Sequence, residues 1–102
     1  MFEGRRHVTS GVRERIGLDT QVLIWGLIDS LRASSVRVDY FQVFDLELAV
    51  DGRGRPVQKV VHRQERPEYR REHLFPVGRP VRARLFAVDS GDGATLMLAD
   101  EY

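Results

Sequence analysis

The fold is decided by the segment LDTQVLIWGLIDSLRA, residues 18–33, because no other stretch of the chain sustains a helical periodicity. At about 100° per residue, its large apolar side chains share one arc and most polar side chains lie outside that arc. The apolar arc consists of Leu23, Ile24, Leu27, Ile28 and Leu31. The pattern predicts one amphipathic helix over residues 18–33, with Asp19 as its N-cap or first-turn acid.

Most of the remaining chain alternates between apolar and polar residues with a period of two, which predicts strands. The predicted strands are residues 7–9, 40–50, 57–64, 81–89 and 94–99. The turn sequences DGRGRP and SGDG join the last four into two hairpins. We therefore expect a single α+β domain over residues 1–102, with one amphipathic helix packed on a curled, mostly antiparallel sheet of about five strands.

The hairpins have a definite expected register. The first turn places Glu47 opposite Lys59, which is a favourable pair on a solvated face. Pairing Asp89 with Ala94 in the second hairpin leaves apolar side chains on both of its faces. One helix covers only one face, so the other requires a strongly curled sheet, the loop 65–80 or a partner subunit. This pattern raises the hypothesis of a homodimer.

Residues 65–80 lie between the two hairpins and show no strand pattern. A segment of sixteen residues is long for a loop in a compact domain. Residues 67–73 begin with Pro67 and an acid behind it, which predicts one or two helical turns. Tyr69 and Phe75 are the side chains expected to anchor this loop.

The composition excludes several kinds of chemistry. The chain has no cysteine, so it forms no disulfide and offers no thiolate nucleophile or metal ligand. His7, His62 and His73 match no compact zinc spacing, and the serines have no histidine pattern beside them. We therefore predict no cofactor, no metal and no catalytic residue. No apolar run reaches the length of a signal peptide or a membrane span, which predicts a cytoplasmic protein.

The formal net charge is only +1, but the charges are unevenly distributed. Residues 53–84 carry ten basic residues against three glutamates, a net charge of +7. Arginines interleaved with aromatic residues are typical of single-strand nucleic-acid binding, although glutamates within the block oppose phosphate. The alternative explanation is that many of these arginines are ordinary surface charges, because the chain contains fifteen Arg and one Lys. The candidate anion- or nucleic-acid-binding residues are Arg63, Arg66, Arg70, Arg71, Arg82 and Arg84.

A second stripe, formed by Leu18, Val22 and Trp25, lies on the otherwise polar side of the helix. Such a tryptophan is either covered by a neighbouring segment or faces a partner, because Trp is enriched at interface hot spots. With Tyr69 and Phe75, these are the candidate partner-binding residues. The sequence favours a protein-interaction or regulatory module without catalytic activity, which binds an unknown protein partner or itself. Nucleic-acid binding through residues 63–84 is the alternative, and an enzyme acting on a small anionic substrate is the third possibility.

Several groups of residues, spread almost from end to end of the chain, carry a family resemblance. They include LIW at 23–25, DYFQVF at 39–44, QKVVHRQE at 58–65, FAVD at 86–89 and LMLA at 96–99. On these residues the chain resembles the domain of unknown function 960 family, small bacterial proteins of Gram-positive species. The resemblance implies no activity, substrate or catalytic residue, because that family has none assigned. His7 stands where the family pattern leads us to expect an aromatic residue, and the arginine content is heavier.

Overall fold

Two helices and six strands build the fold in the computed structural model, which describes residues 1–102. In chain order they are β1 (Arg5–Val8), α1 (Ser10–Arg15), α2 (Leu18–Arg32), β2 (Phe41–Val50), β3 (Pro56–Gln64), β4 (Tyr69–Phe75), β5 (Ala83–Asp89) and β6 (Gly93–Leu98), with a 3-10 turn at Ala99–Glu101. The α+β prediction is confirmed. The longest helix, α2, has 15 residues, and no helix combines the length and the apolar character that a membrane span requires.

The strands form one open sheet in the order β1-β6-β5-β2-β3-β4. β1 runs parallel to β6, and every other neighbouring pair is antiparallel. The expectation of about five strands is therefore corrected to six, in a mixed sheet. The predicted registers of the two hairpins are confirmed, since Glu47 lies opposite Lys59 and Asp89 lies opposite Ala94.

The sixth strand, β4, comes from the segment expected to form helical turns. It runs antiparallel to β3, with Tyr69 opposite Gln64. The helical prediction for residues 67–73 is therefore wrong. Pairing along β3 gives this backbone hydrogen-bond partners, which outweighs the local helix-start signal of Pro67.

A short helix precedes the long one where only a lead-in segment was expected. The side chain of Thr9 caps α1 by accepting a hydrogen bond from the backbone N–H of Val12, at 3.3 Å. Val12 is fully buried. Six residues are too few to show helical periodicity, so the usable signal was the capping threonine.

The long helix α2 begins after Gly17, and Asp19 is its first-turn acid. The Asp19 carboxylate accepts hydrogen bonds from the backbone N–H groups of Gly78, at 2.9 Å, and Thr20, at 2.8 Å. These bonds lower the pKa of Asp19, and the bond from Gly78 has a larger effect than the bond from Thr20. The predicted apolar arc is confirmed, because Ile24, Ile28 and Leu31 are buried.

One hydrophobic core lies between the helices and one face of the sheet. Its buried members are Phe2, Val12, Ile16, Ile24, Ile28, Phe44, Leu46, Val60, Leu85, Ala87, Ala94, Leu96 and Leu98. We call this the covered face of the sheet. Both helices contribute their buried apolar residues to this core, so neither helix lies on the opposite face. We call that opposite face, which includes Phe41, Asp45, Phe86 and Met97, the open face.

Candidate interaction surface

Three aromatic side chains form a cluster on the open face. The rings of Phe41 on β2 and Phe86 on β5 are 4.9 Å apart between centroids. Tyr102, after the 3-10 turn, contacts both rings edge-on, at 5.3 Å and 5.7 Å. Such tilted and edge-to-face geometries are the favourable ones for aromatic pairs. We call Phe41, Phe86 and Tyr102 the aromatic cluster.

The aromatic cluster partly covers the second apolar face of the β5–β6 hairpin. Phe86, Val88 and Met97 are half-buried there, and Tyr102, itself 72% exposed, contacts Phe86. Cover by the loop 65–80, one of the three options, does not occur in that form, because residues 69–75 of this segment form β4 at the edge of the sheet. A partly exposed apolar surface therefore remains on the open face.

Ion pairs join neighbouring strands beside the aromatic cluster. Asp45 accepts from Arg84 at 2.6 Å and from Arg63 at 3.2 Å. The carboxylate thus bridges β5, β2 and β3. Two of the candidate phosphate-binding arginines are therefore already engaged by an acid.

A second chain of charges continues to the edge of the sheet. Lys59 lies 3.1 Å from Glu72 and 3.9 Å from Glu47, and Glu72 accepts from Arg70 at 2.8 Å. Lys59, followed by Arg70, holds the pKa of Glu72 below its usual value. Arg70, a third candidate, is also ion-paired.

The remaining candidate arginines point elsewhere. Arg71 lies on β4 beside the ring of Tyr69, 5.8 Å from its centroid, on the same side of the strand as His73. Arg66 lies in the β3–β4 turn, and Arg82 lies just before β5. None of these three forms an ion pair. The basic block of residues 53–84 is thus divided between two faces of the sheet and the connecting turns.

A cavity of about 450 Å³ opens on the same face, where β2 begins and β3 ends. Its apolar lining comes from Tyr40, Phe41, Val43 and Tyr102. Its polar lining comes from Asp39, Arg63, Gln64, Glu65 and Arg66. The cavity therefore brings two of the candidate arginines, Arg63 and Arg66, next to part of the aromatic cluster.

The predicted stripe on α2 is not one continuous exposed surface. Leu18 and Val22 are 73% and 62% exposed. Trp25 is half-buried, packs against the core and lies under the guanidinium of Arg6, 5.1 Å from the ring centroid. Asp29 binds Arg6 with a 3.0 Å hydrogen bond, and Arg6 lowers the pKa of Asp29. Trp25 is thus already covered within this chain.

Tyr69 and Phe75, the other candidate partner-binding residues, lie on the covered side of β4. Tyr69 contacts the ring of His62 edge-on at 5.3 Å. Phe75 packs against the hydrophobic core and lies parallel to the ring of His73, at 5.7 Å. Both side chains are half-buried, so they anchor β4 to the rest of the fold.

A chain of buried side-chain amides fixes the protonation of His62. The amide nitrogen of Gln42 donates to the backbone carbonyl of Asp39, at 2.8 Å, and to the amide oxygen of Gln64, at 2.7 Å. The amide oxygen of Gln42 therefore faces Nε2 of His62, at 2.6 Å. Because this oxygen only accepts, Nε2 carries the hydrogen and Nδ1 carries a lone pair.

His62 and His73 lie near each other, on neighbouring strands. His73 is opposite Val60 and His62 is opposite Arg71, so the two histidines are diagonal neighbours on one face. Nδ1 of His62 and Nε2 of His73 are buried and have no hydrogen-bond partner. Burial, followed by the charge of His73, lowers the pKa of His62 to about 4. Burial, followed by Arg71, lowers the pKa of His73.

This pair of histidines offers only two nitrogen ligands. No group of three or more His, Cys, Asp or Glu side chains is arranged to hold a metal ion. An enzyme acting on a small anion would need arginine and histidine to meet in a pocket, and neither His62 nor His73 lines the 450 Å³ cavity. The pair is better explained as part of the packing of β4 onto β3.

The residues of the open face that sequence reasoning missed are Tyr40, Phe41, Phe86 and Tyr102. The second apolar face of the β5–β6 hairpin was the available signal, because one helix covers only one face and Phe86 lies on one of the two. The contact with Phe41 depends on the pairing of β2 with β5, in which Val43 lies opposite Phe86. That pairing joins segments far apart in the chain, so no local pattern reveals it.

The chain is similar to a solved structure, described as the crystal structure of the protein of unknown function from Enterococcus faecalis. The similarity has a TM-score of 0.82 and 23% sequence identity, and covers 97% of this chain and 91% of that chain. At this identity, the similarity shows a shared fold. No curated protein matches the chain. The family model described as "Staphylococcal protein of unknown function (DUF960)" matches residues 5–101, and the chain therefore belongs to the DUF960 family.

Proposed function

We propose that this protein is an interaction module without catalytic activity, which binds another protein through the aromatic cluster on its open face. The observation that carries the proposal is the half-exposed apolar surface formed by Phe41, Phe86 and Met97, over which no helix packs. Protein interfaces are enriched in aromatic residues, Met and Arg, and a polar rim surrounds their apolar centre. The ion pairs of Asp45 lie beside the cluster and supply such a rim.

The charges of this face favour a protein over a nucleic acid. Asp45, Glu47 and Glu72 stand among the basic residues and engage four of them. A phosphate backbone would meet these carboxylates, whereas nucleic-acid affinity comes from arginines and lysines that neutralise phosphates. A protein surface with both signs of charge has no such conflict.

Capture of the partner from a native lysate, with and without nuclease, tests the proposal. We expect Phe86→Ala to reduce the affinity for the partner about thirtyfold or more, because a central aromatic residue of an interface contributes about 2 kcal/mol or more. Tyr102→Ala is the second variant, and it removes an exposed side chain outside the core. Circular dichroism and thermal unfolding check that each variant is folded.

Two control variants make the result specific. Val22→Ala removes an exposed side chain from the stripe on α2, and Leu48→Ala removes one from the end of the first hairpin. Both should capture the partner as the parent protein does. Loss of capture with Val22→Ala alone would move the binding site to the helix and overturn the proposal. If the bound species is a second copy, its mass in solution should fall to one chain on dilution and in Phe86→Ala.

Nucleic-acid binding remains the second candidate, favoured by Arg66, Arg71 and Arg82, whose guanidinium groups have no acidic partner. It requires an affinity for single-stranded RNA that falls steeply with salt. Fluorescence anisotropy of a labelled oligonucleotide measures this directly. Binding that is unchanged in the double variant Arg66→Glu, Arg71→Glu would exclude nucleic-acid binding through these arginines.

A further inference from the structure

The cavity on the open face carries charged side chains of both signs that do not pair with one another. Arg63 binds Asp45 through Nε, which leaves its two terminal amino groups without a partner. The side chains of Arg66 and Glu65 form no ion pair or hydrogen bond. Asp39 accepts one long bond, at 3.3 Å, from the backbone N–H of Arg66 and no bond from a side chain. Two guanidinium groups and two carboxylates therefore line one cavity without pairing with one another.

The cavity also has an aromatic wall and a fixed frame. Phe41 and Tyr102 supply the wall. Gln64 holds the frame from below, because its amide oxygen accepts from the backbone N–H of Asp39, at 2.9 Å, and its amide nitrogen donates to the carbonyl of Pro67, at 2.9 Å. The segments that carry the acidic and basic side chains are thus tied together beneath the cavity, and such preorganisation lowers the entropic cost of binding.

We propose that this cavity binds an α-amino acid with an aromatic side chain. The carboxylate of the ligand pairs with Arg63 and Arg66, since guanidinium groups bind carboxylates through paired, charge-assisted hydrogen bonds. Its ammonium group pairs with Asp39 and Glu65. Its ring packs against the aromatic wall. A volume of about 450 Å³ is within the range of small-molecule sites.

The site extends beyond the proposed function and does not rest on it. Phe86, the central residue of the proposed partner surface, does not line the cavity. Phe41 and Tyr102 belong to both surfaces, so the tests that separate the proposals are Phe86→Ala for partner capture and substitutions of the charged lining for the amino acid. Failure of one proposal leaves the other standing.

Titration with three small probes, followed by two-dimensional NMR of the labelled protein, tests the site. The probes are L-phenylalanine, N-acetyl-L-phenylalanine, which has no ammonium group, and L-phenylalanine amide, which has no carboxylate. We expect saturable shifts at Phe41, Val43 and Gln64 with phenylalanine, and a Kd of about 1 mM or tighter. Each single-charge analogue should bind about tenfold more weakly, because it loses one set of charge-assisted bonds. The amide also represents a peptide N-terminus and the acetylated form a peptide C-terminus.

Matched variants assign each charge to its side of the cavity. Arg66→Gln should weaken phenylalanine about tenfold and leave the amide unchanged, and Glu65→Gln should weaken phenylalanine and the amide but not the acetylated probe. Arg82→Gln, outside the cavity, should change nothing. The proposal is overturned if phenylalanine gives no saturable shifts, or if all three probes bind equally. An analogue that binds as tightly as phenylalanine would overturn the zwitterion assignment and indicate a chain terminus as the ligand.

Discussion

Buried glutamine side chains hold the irregular segments of this protein. Gln58, on β3, accepts from the backbone N–H of Val81, at 2.8 Å, and donates to the carbonyl of the same residue, at 3.0 Å. It thereby pairs the backbone of the segment 76–82 as a neighbouring strand would. A primary amide has two donors and an accepting oxygen, so it suits backbone groups that have no regular partner. Gln42 and Gln64 do the same for the segment 37–39.

Replacing Gln58 by Met should show how much this pairing contributes to the free energy of unfolding. The change keeps the length of the side chain but leaves the N–H and C=O of Val81 without partners. We expect the free energy of unfolding to fall by about 2–3 kcal/mol, the range for leaving buried polar groups unsatisfied. Urea unfolding measures it. Gln21→Met is the control, because Gln21 makes a single side-chain hydrogen bond, to the carbonyl of Ile16, and should cost about 1 kcal/mol. Equal losses in the two variants would contradict this account.

Burial of His62 should make the fold sensitive to mild acid. Its pKa is about 4 in the folded protein and about 6.5 in the unfolded chain, so the unfolded chain binds more protons between these values. The contribution of the neutral, buried His62 to the free energy of unfolding is fully present above about pH 6.5 and is lost as the pH falls toward 4. Between pH 7.5 and pH 5 we expect a loss of about 2 kcal/mol from this residue.

Urea unfolding of the parent protein and of His62→Gln at both pH values measures this contribution. The variant is expected to be less stable at pH 7.5, but its stability should decline less toward pH 5 because it lacks the titrating imidazole. His73 is present in both proteins, so the difference in pH dependence between them reports on His62 together with its coupling to His73. The same pH dependence in both proteins would show that His62 is not the cause.

At the scale of elements, the parts predicted from the sequence are those with strong local signals. The helix α2 and the hairpins β2–β3 and β5–β6 have clear periodicity and turn sequences, and their registers were predicted residue by residue. β4 was not predicted, because it is an edge strand with charges on both faces, such as Arg71 on one and Arg70 on the other. Its strand character comes from pairing with β3, which outweighed the local signal of Pro67.

The candidate surface, too, was predictable only where a local sequence pattern indicates it, and not where it depends on contacts between distant segments. The sequence indicated that the β5–β6 hairpin has two apolar faces, with Phe86 on one of them, but not which face the helix covers. It did not indicate that Phe41 and Tyr102 would join Phe86, because strand order and the path of the last residues depend on contacts across the whole sheet. The arginines that seemed one block are separated because alternate residues of β4 point to opposite faces.

The orientation of α2 predicts a sharp contrast between two neighbouring apolar residues. Ile24 is fully buried against the sheet, whereas Val22 is exposed. Ile24→Ala should lower the free energy of unfolding by about 2–5 kcal/mol, because it leaves a cavity in the core. Val22→Ala should change it by less than about 0.5 kcal/mol. Thermal or urea unfolding of the two variants is the measurement, and similar losses would mean that the helix is rotated on the sheet.

At the scale of the whole molecule, both ends of the chain are tied to the same sheet. The backbone N–H of Phe2 donates to Asp89 at 2.7 Å, and the hydroxyl of Thr9 donates to Glu101 at 2.7 Å. Parallel pairing of β1 with β6 joins the start of the chain to its last strand. The radius of gyration, 13.3 Å, is that of a compact domain of about 100 residues. These long-range contacts should make unfolding a single cooperative event.

Phe2 tests whether the N-terminal segment belongs to that cooperative unit. Its ring is 1% exposed and lies in the hydrophobic core, although its backbone has a φ of 64°, which is unusual for a residue with a side chain. Phe2→Ala should therefore lower the free energy of unfolding by about 3–5 kcal/mol. Circular dichroism and the fluorescence of Trp25 should report the same urea midpoint, because Arg6 of β1 covers Trp25. Met1→Ala, at an exposed residue, is the control. A small loss, or a fluorescence change that precedes the circular dichroism change, would mean that β1 detaches before the rest of the sheet unfolds.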